Sequence, residues 1–209
     1  MTILSFRCCH INFLILALFT FSNLSAQNTD QQTFKDATLA FQKNYVAAHE
    51  VVLGKDKKHF RFYAVNQAYS VLASFEKITD NTRIGIKTSG QKIPVKYFIR
   101  YGKLHFKVQS EEATLTIYQS SDLASKSEYK DYLFIPFTDS TTGLETYGSG
   151  RYLDLKIADL STGYYQLDFN KAYNPYCAYT TGYNCPIPPR ENALSMPILA
   201  GEMNFAKKH

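Results

Sequence analysis

Residues 95–109 read VKYFIRYGKLHFKVQ. In the second half Leu104, Phe106 and Val108 alternate with His105, Lys107 and Gln109. Successive side chains of an extended chain point to opposite sides, so this spacing makes a strand with one dry and one wet face. Tyr101-Gly102 reads as a hairpin turn, which divides the stretch into two antiparallel strands. The same period of two runs outward. YSVLASFE (69–76) sets Tyr69, Val71, Ala73 and Phe75 on one face, and ATLTIYQ (113–119) sets Leu115 and Ile117 opposite Thr114, Thr116 and Tyr118. RYLDLKI (151–157) and YYQLDF (164–169) alternate as well, whereas YLFIPF (132–137) is continuously apolar and predicts a strand covered on both faces. The expected class is mainly β: an antiparallel barrel or sandwich-like domain of about eight to ten strands.

Upstream the period changes. In QQTFKDATLAFQKNYVAAHEVV (31–52) the apolar positions Phe34, Phe41, Tyr45, Ala48 and Val52 follow helical steps. Thr33 with Asp36 resembles a capping box and Gly54 is a natural stop, so one N-terminal helix should pack on the sheet. The first 26 residues read differently again. Arg7, the apolar run INFLILALFTF (11–21) and the small residues Ser25 and Ala26 follow the order of a secretory signal, cleaved after Ala26. The alternative, a membrane anchor, needs roughly 20 apolar residues. Cys8 and Cys9 precede the apolar run and would leave with the signal. A single domain, 27–209, would remain in the periplasm or outside the cell, with no stable membrane insertion. Loss of Arg7 takes 23 basic residues to 22 against 18 acidic, with the charges interspersed. That is no footprint for nucleic acid. The one basic cluster, GKDKKH (54–59), reads as a solvated loop.

Export would leave only Cys177 and Cys185, inside NPYCAYTTGYNCPIPP (174–189). A close pair in an oxidising compartment reads as a disulfide, ahead of free thiols or a metal site, which needs about four ligands. Four prolines and a bridge closing about nine residues would fix this loop, the bridge contributing roughly 2–3 kcal/mol. Tyr176, Tyr179 and Tyr183 would pack their rings and keep their hydroxyls wet. Such a loop either covers the end of the β core or walls a pocket. No cofactor motif is present: YGSG has neither the spacing nor the following helix of a nucleotide fingerprint, and no G-x-S-x-G elbow occurs.

Polar residues crowd into the last third. TDSTTGLETYGSGRYLD (138–154) holds Asp139, Glu145, Tyr147, Arg151 and Asp154, followed by Asp168, Asn170 and Asn174. If the strands carrying them pair, Asp154 and Asp168 lie near each other beside Arg151. Two carboxylates and a guanidinium suit acid–base work on a glycan or ester, or an anionic ligand. They equally suit a network tying turns to strand ends.

FTDSTTGLETYGSGRYLDL, LDFNKAYNPYCAY, CPIPPRENAL and PILAGE occur in that order. Together they closely resemble the family catalogued as domain of unknown function 1684. Its pattern runs F-x-D-x-T-x-G-x-E-T-Y-G-x-G-R-Y-L, L-D-F-N-x-A-Y-N-P-x-C-A-Y, C-P-x-P-P-x-N-x-L and a final G-E. This chain has one extra residue between Pro189 and Asn192, where Glu191-Asn192 fits a P-P-x-x-N variant, and the match is strongest over 131–202. The resemblance implies bacterial, often exported proteins of no established activity, and it supplies no catalytic residues. The expected function is a non-enzymatic exported domain that binds a small polar ligand, a saccharide being one candidate, through the tyrosine-rich loop and the Arg151/Asp154/Asp168 group. A carboxylate-based hydrolase and a structural or protein-interaction role are the alternatives.

Overall fold

A computed structural model describes the backbone of residues 11–207 and the side chains of residues 29–207. The expected signal, 1–26, and its cleavage site lie outside the residues described with side chains. The architecture is mainly antiparallel β: one curled seven-stranded sheet with a long helix, α1 (Ile11–Ala48), packed against it. The strands are β1 (Ser70–Lys77), β2 (Arg83–Lys87), β3 (Val95–Val108), β4 (Glu111–Ser120), β5 (Tyr132–Phe137), β6 (Arg151–Lys156) and β7 (Tyr164–Asp168). Their order is β6-β5-β4-β3-β1-β7, with β2 pairing the first half of β3. Just beyond β7, Tyr173 exchanges two backbone hydrogen bonds with Tyr152 of β6, at 2.9 and 3.0 Å, so the chain curls back from one sheet edge to the other.

The strands are fewer than expected. Residues 138–150 and 170–206 form turns, short 3-10 segments and single bridges instead. The prolines there lack the N–H a ladder needs, and Asp and Asn side chains capture nearby backbone donors. Asn192 shows the substitution most clearly. β4 and β5 share only one register pair, Tyr118 with Phe134, and Pro136 cannot donate. The fully buried Asn192 fills the gap like a detached peptide group. It accepts from Thr116 N at 2.7 Å and donates to the carbonyls of Thr116 and Pro136 at 2.9 and 2.8 Å.

Tyr101-Gly102 is not a turn. β3 runs on unbroken, and its register against β4 slips by one: Arg100 pairs with Tyr118, Gly102 with Ile117. Tyr101 is the extra residue of a β-bulge. Glycine is required beside it because a Cβ at 102 would lie 2.3 Å from the Phe75 ring and 2.7 Å from the Glu76 carbonyl on β1. An inserted residue exchanges the faces of everything beyond it. Leu104, Phe106 and Val108 enter the main core with Leu115, Ile135, Phe137 and Leu167, where each large side chain contributes about 1.5–3 kcal/mol. Phe98, also even-numbered, enters a second cluster on the opposite face with Ile86, Tyr118, Phe134 and Tyr152. β5 divides its side chains between the two clusters and is covered on both faces as expected.

The helix differs in phase from its sequence reading. Its backbone is already helical at Ile11, so Thr33 is no cap: its hydroxyl donates to the Thr29 carbonyl one turn back. The buried positions are Thr38, Gln42 and His49, with Tyr45 half-buried, whereas Phe41 and Ala48 stay exposed. Polar side chains hold the packed face because they have partners there: Gln42 donates to the Asn170 carbonyl at 3.3 Å. The helix stops at Ala48, before Val52. There the His49 ring Nδ1 accepts from the backbone N–H groups of Val51 and Val52, at 3.3 and 2.9 Å. Residues 54–59 form a 3-10 turn with no buried side chain.

Candidate functional site

The curl of the sheet and the helix enclose a cavity of about 880 Å³. Its floor is the second cluster. Tyr132 and Phe134 come from β5, Tyr152 and Asp154 from β6, and Phe98 and Lys96 from the half of β3 before the bulge. Phe41, Tyr45 and His49 close one side from α1 and its end, Tyr165 and Asp168 come from β7, and Tyr173, Tyr176, Tyr183 and Pro186 come from the C-terminal loops. Cys177 and Cys185 are bridged, with Cα atoms 6.3 Å apart, and the bridged loop supplies a wall of this cavity.

Asp154 is the polar centre. It is open to solvent on the cavity side and enclosed elsewhere, and that burial pushes its carboxyl above the usual range. Tyr132 and Tyr173 both donate to its Oδ1, at 2.8 and 2.7 Å. These neutral donors partly offset the burial, and among the described residues no cation forms an ion pair with Asp154. Both phenols are in turn held well above their ordinary pKa, by burial first and then by the carboxylate. The rings meet at steep angles: Phe134 to Tyr152 at 84° and 5.6 Å, Tyr152 to Tyr173 at 87° and 5.9 Å.

Arg151 does not join this group. It precedes Tyr152 on β6 and therefore enters the core face. There it is wholly buried and pairs with Asp139 at 2.8 Å. Its guanidinium also donates to the carbonyls of Ile198, Ala200 and Glu202, at 2.9, 2.5 and 3.3 Å. Gly150, at φ 84°, sets up this entry; a Cβ there would lie 2.5 Å from the Phe137 carbonyl. β6 and β7 do not pair, being at opposite ends of the sheet order, yet the curl brings Asp154 and Asp168 to the same cavity. Asp168 is mostly committed, its Oδ1 accepting from the backbone N–H and the side-chain amide of Asn170.

A family model matches residues 55–203. The chain belongs to the family described as Protein of unknown function (DUF1684). In the DUF1684 motifs, Asp139, Arg151, Asn192 and Glu202 all have buried side chains that tie loops to the sheet. The chain is also similar to an uncharacterised protein of Haloarcula marismortui whose solution NMR structure is known. Identity is 26%, covering 87% of this chain and 96% of that one, with a TM-score of 0.58. No curated protein matches.

Of the residues singled out from the sequence, the cavity takes Asp154 and Asp168 together with Tyr176 and Tyr183 of the tyrosine-rich loop. Glu145 is exposed and accepts from the Tyr63 hydroxyl at 2.6 Å. Tyr147 packs with Val52 and Tyr179 in a third cluster. Asn170 holds both backbone groups of Asn66, and the Asn174 amide donates to the Met203 carbonyl. Tyr179 was expected to keep its hydroxyl wet; instead it is buried against Glu202, 2.7 Å from each carboxylate oxygen. Glu202 is itself fully buried and its carboxyl is pushed up to about 7, by burial first, against the lowering effect of the Asn174 backbone N–H. The residues not singled out are the cavity's own: Tyr132, Phe134, Phe98, Lys96, His49 and Tyr173. Parity was the available signal. Tyr132 and Phe134 alternate with core residues in YLFIPF, just as Tyr152 and Asp154 do in RYLDLKI.

Among the described residues no group of three or more His, Cys, Asp or Glu could hold a metal ion, and no helix is long and apolar enough to cross a membrane.

Proposed function

We propose that this chain is an exported, non-enzymatic domain that binds a small ligand in the Asp154 cavity. One observation carries the reading: a carboxylate whose Oδ1 is fixed by two tyrosine hydroxyls while Oδ2 has no hydrogen-bond partner among the described residues, at the floor of an aromatic space of about 880 Å³. A concave, mostly apolar lining with few convergent polar groups is the usual form of a small-molecule site. The rings suit a saccharide, the ligand expected from the sequence, as they suit other molecules with an apolar face. Binding is favoured over hydrolysis by the two carboxylates expected to work as a pair, because Asp168 already holds Asn170 and is not free to partner Asp154. The Cys177–Cys185 bridge supports the export part of the proposal, since such bridges persist in oxidising compartments.

Titration of the protein with a panel of saccharides, amines and aromatic acids, followed by NMR amide shifts, tests the reading. The expected shifts centre on residues 132–134, 152–154 and 173–176. Shifts confined to other surfaces would sink it, as would turnover of a panel member that Asp154→Asn abolishes.

A further inference from the structure

We propose that the Asp154 cavity is an organic-cation site, taking a small free molecule with an alkylammonium or quaternary ammonium head. The inference rests on the cavity being a ligand site and adds the charge and shape of the ligand's head. Ring faces carry negative potential, and several rings around one point attract a cation more strongly once water is excluded. Phe134, Tyr152 and Tyr173 form such a set, with neighbouring planes nearly perpendicular, and Phe98 lies 5.1 Å from Phe134. Asp154 sits among them. Its two tyrosine donors both hold Oδ1, which leaves Oδ2 for an ammonium.

The charges around the cavity agree. Its lining contains four carboxylates, Glu50, Asp122, Asp154 and Asp168, against two lysines, Lys96 and Lys171. One of the lysines is already engaged. Lys171 Nζ is 3.9 Å from Asp168 and 5.6 Å from the centre of the Phe41 ring, so one protein cation already lies over an aromatic ring of this lining. Lys96 forms no ion pair among the described residues; burial disfavours its charged form, and Asp122 opposes that only in part. Glu50 accepts from the Tyr176 hydroxyl at 3.1 Å. Asp154 has only neutral partners, and a partly buried carboxylate with no counter-charge is costly. A ligand cation would supply the missing charge, a neutral ligand of the same shape would not, and an anion would be rejected.

The test compares choline with 3,3-dimethyl-1-butanol, which has the same bulky head without the charge, alongside tetramethylammonium and butylammonium. Purified protein is titrated with each and followed by NMR. At least one of the cations should shift the amides of Tyr132, Asp154 and Tyr173 and bind at least tenfold more tightly than the alcohol. Asp154→Asn should weaken that cation at least tenfold and leave the alcohol within about twofold. Tyr173→Phe, which keeps the ring, should cost less than Asp154→Asn. Should Asp154→Asn fail to fold, the comparison of cation with isostere in the unaltered protein still decides. Equal binding of cation and alcohol in the cavity overturns the cation inference and leaves the cavity a ligand site. A saccharide bound there with every cation excluded does the same. No shift in the cavity from any cation, alcohol or saccharide overturns both proposals.

Discussion

Replacing Arg151 by Met should be among the most damaging single changes in this chain. Met keeps an apolar stem of similar reach and removes the charge. Asp139 would then be left 1% exposed with no cation. Stranding one member of a buried ion pair costs about 3–5 kcal/mol. The carbonyls of Ile198, Ala200 and Glu202 would also lose a donor, and a buried group left unsatisfied costs about 1–3 kcal/mol. These contributions do not add, because the C-terminal segment would relax once released, so about 5 kcal/mol is the expected total. A domain of this size loses about 2–4 °C in Tm per kcal/mol, which puts the variant roughly 10–20 °C below the unaltered protein. Thermal melts and urea unfolding followed by circular dichroism read the change. Arg151→Lys should recover only part, since one ammonium cannot serve a carboxylate and three carbonyls in the fork's geometry. Asp139→Asn combined with Arg151→Met should be milder than Arg151→Met alone, because no charge is stranded. A loss below about 1 kcal/mol for Arg151→Met, or a double variant as unstable as the single, would refute the reasoning.

Burial raises the Glu202 carboxyl to about 7 from an ordinary 4.5. Between those values the folded protein keeps a proton that the unfolded chain has released, so stability falls as pH rises through that window. Glu202→Gln should flatten the plot of Tm against pH from 5 to 7; a plot that rises there, unchanged by the substitution, contradicts this. Reduction of Cys177–Cys185 should speed hydrogen exchange in residues 174–189 before the strands lose protection, and simultaneous loss in both would show that the bridge holds the whole fold. Intact mass of protein recovered from the exported fraction should begin at Gln27, and a chain retaining residues 1–26 in the membrane fraction would end the export proposal.

The strand faces were legible because period two is enforced at every residue: Leu104, Leu115, Leu133 and Leu153 all point where alternation sends them. The bulge was not, because Tyr-Gly suits a tight turn and an inserted residue alike, and only the register against β4 distinguishes them. The helix was legible as a helix but not in its phase, since hydrophobicity alone cannot show that Gln42 has a carbonyl to bond and His49 two backbone amides to cap. Alternation along β6 sends Arg151 and Asp154 to opposite faces, which overrides the expectation that they form one group with Asp168. It could not choose Asp139 as the arginine's partner, because Asp139 lies in a turn where no period applies. The cavity escaped the sequence for a related reason: Asp154, Tyr132 and Tyr173 meet only after the sheet curls and the chain crosses between its edges.

The inserted residue in β3 also separates two histories within one strand. Residues 95–100 answer to the cavity through Lys96 and Phe98, while residues 102–108 answer to the core through Leu104, Phe106 and Val108. Divergence in the first half can change what the cavity admits without remaking the sheet. Deleting Tyr101 would leave Arg100 opposite Tyr118 and Gly102 opposite Ile117 in an unbroken ladder, so Phe98 would keep its place on the cavity side while β3 lost its local bend. Relatives are therefore free to differ at residues 95–100, and so in what they hold, without disturbing residues 102–108.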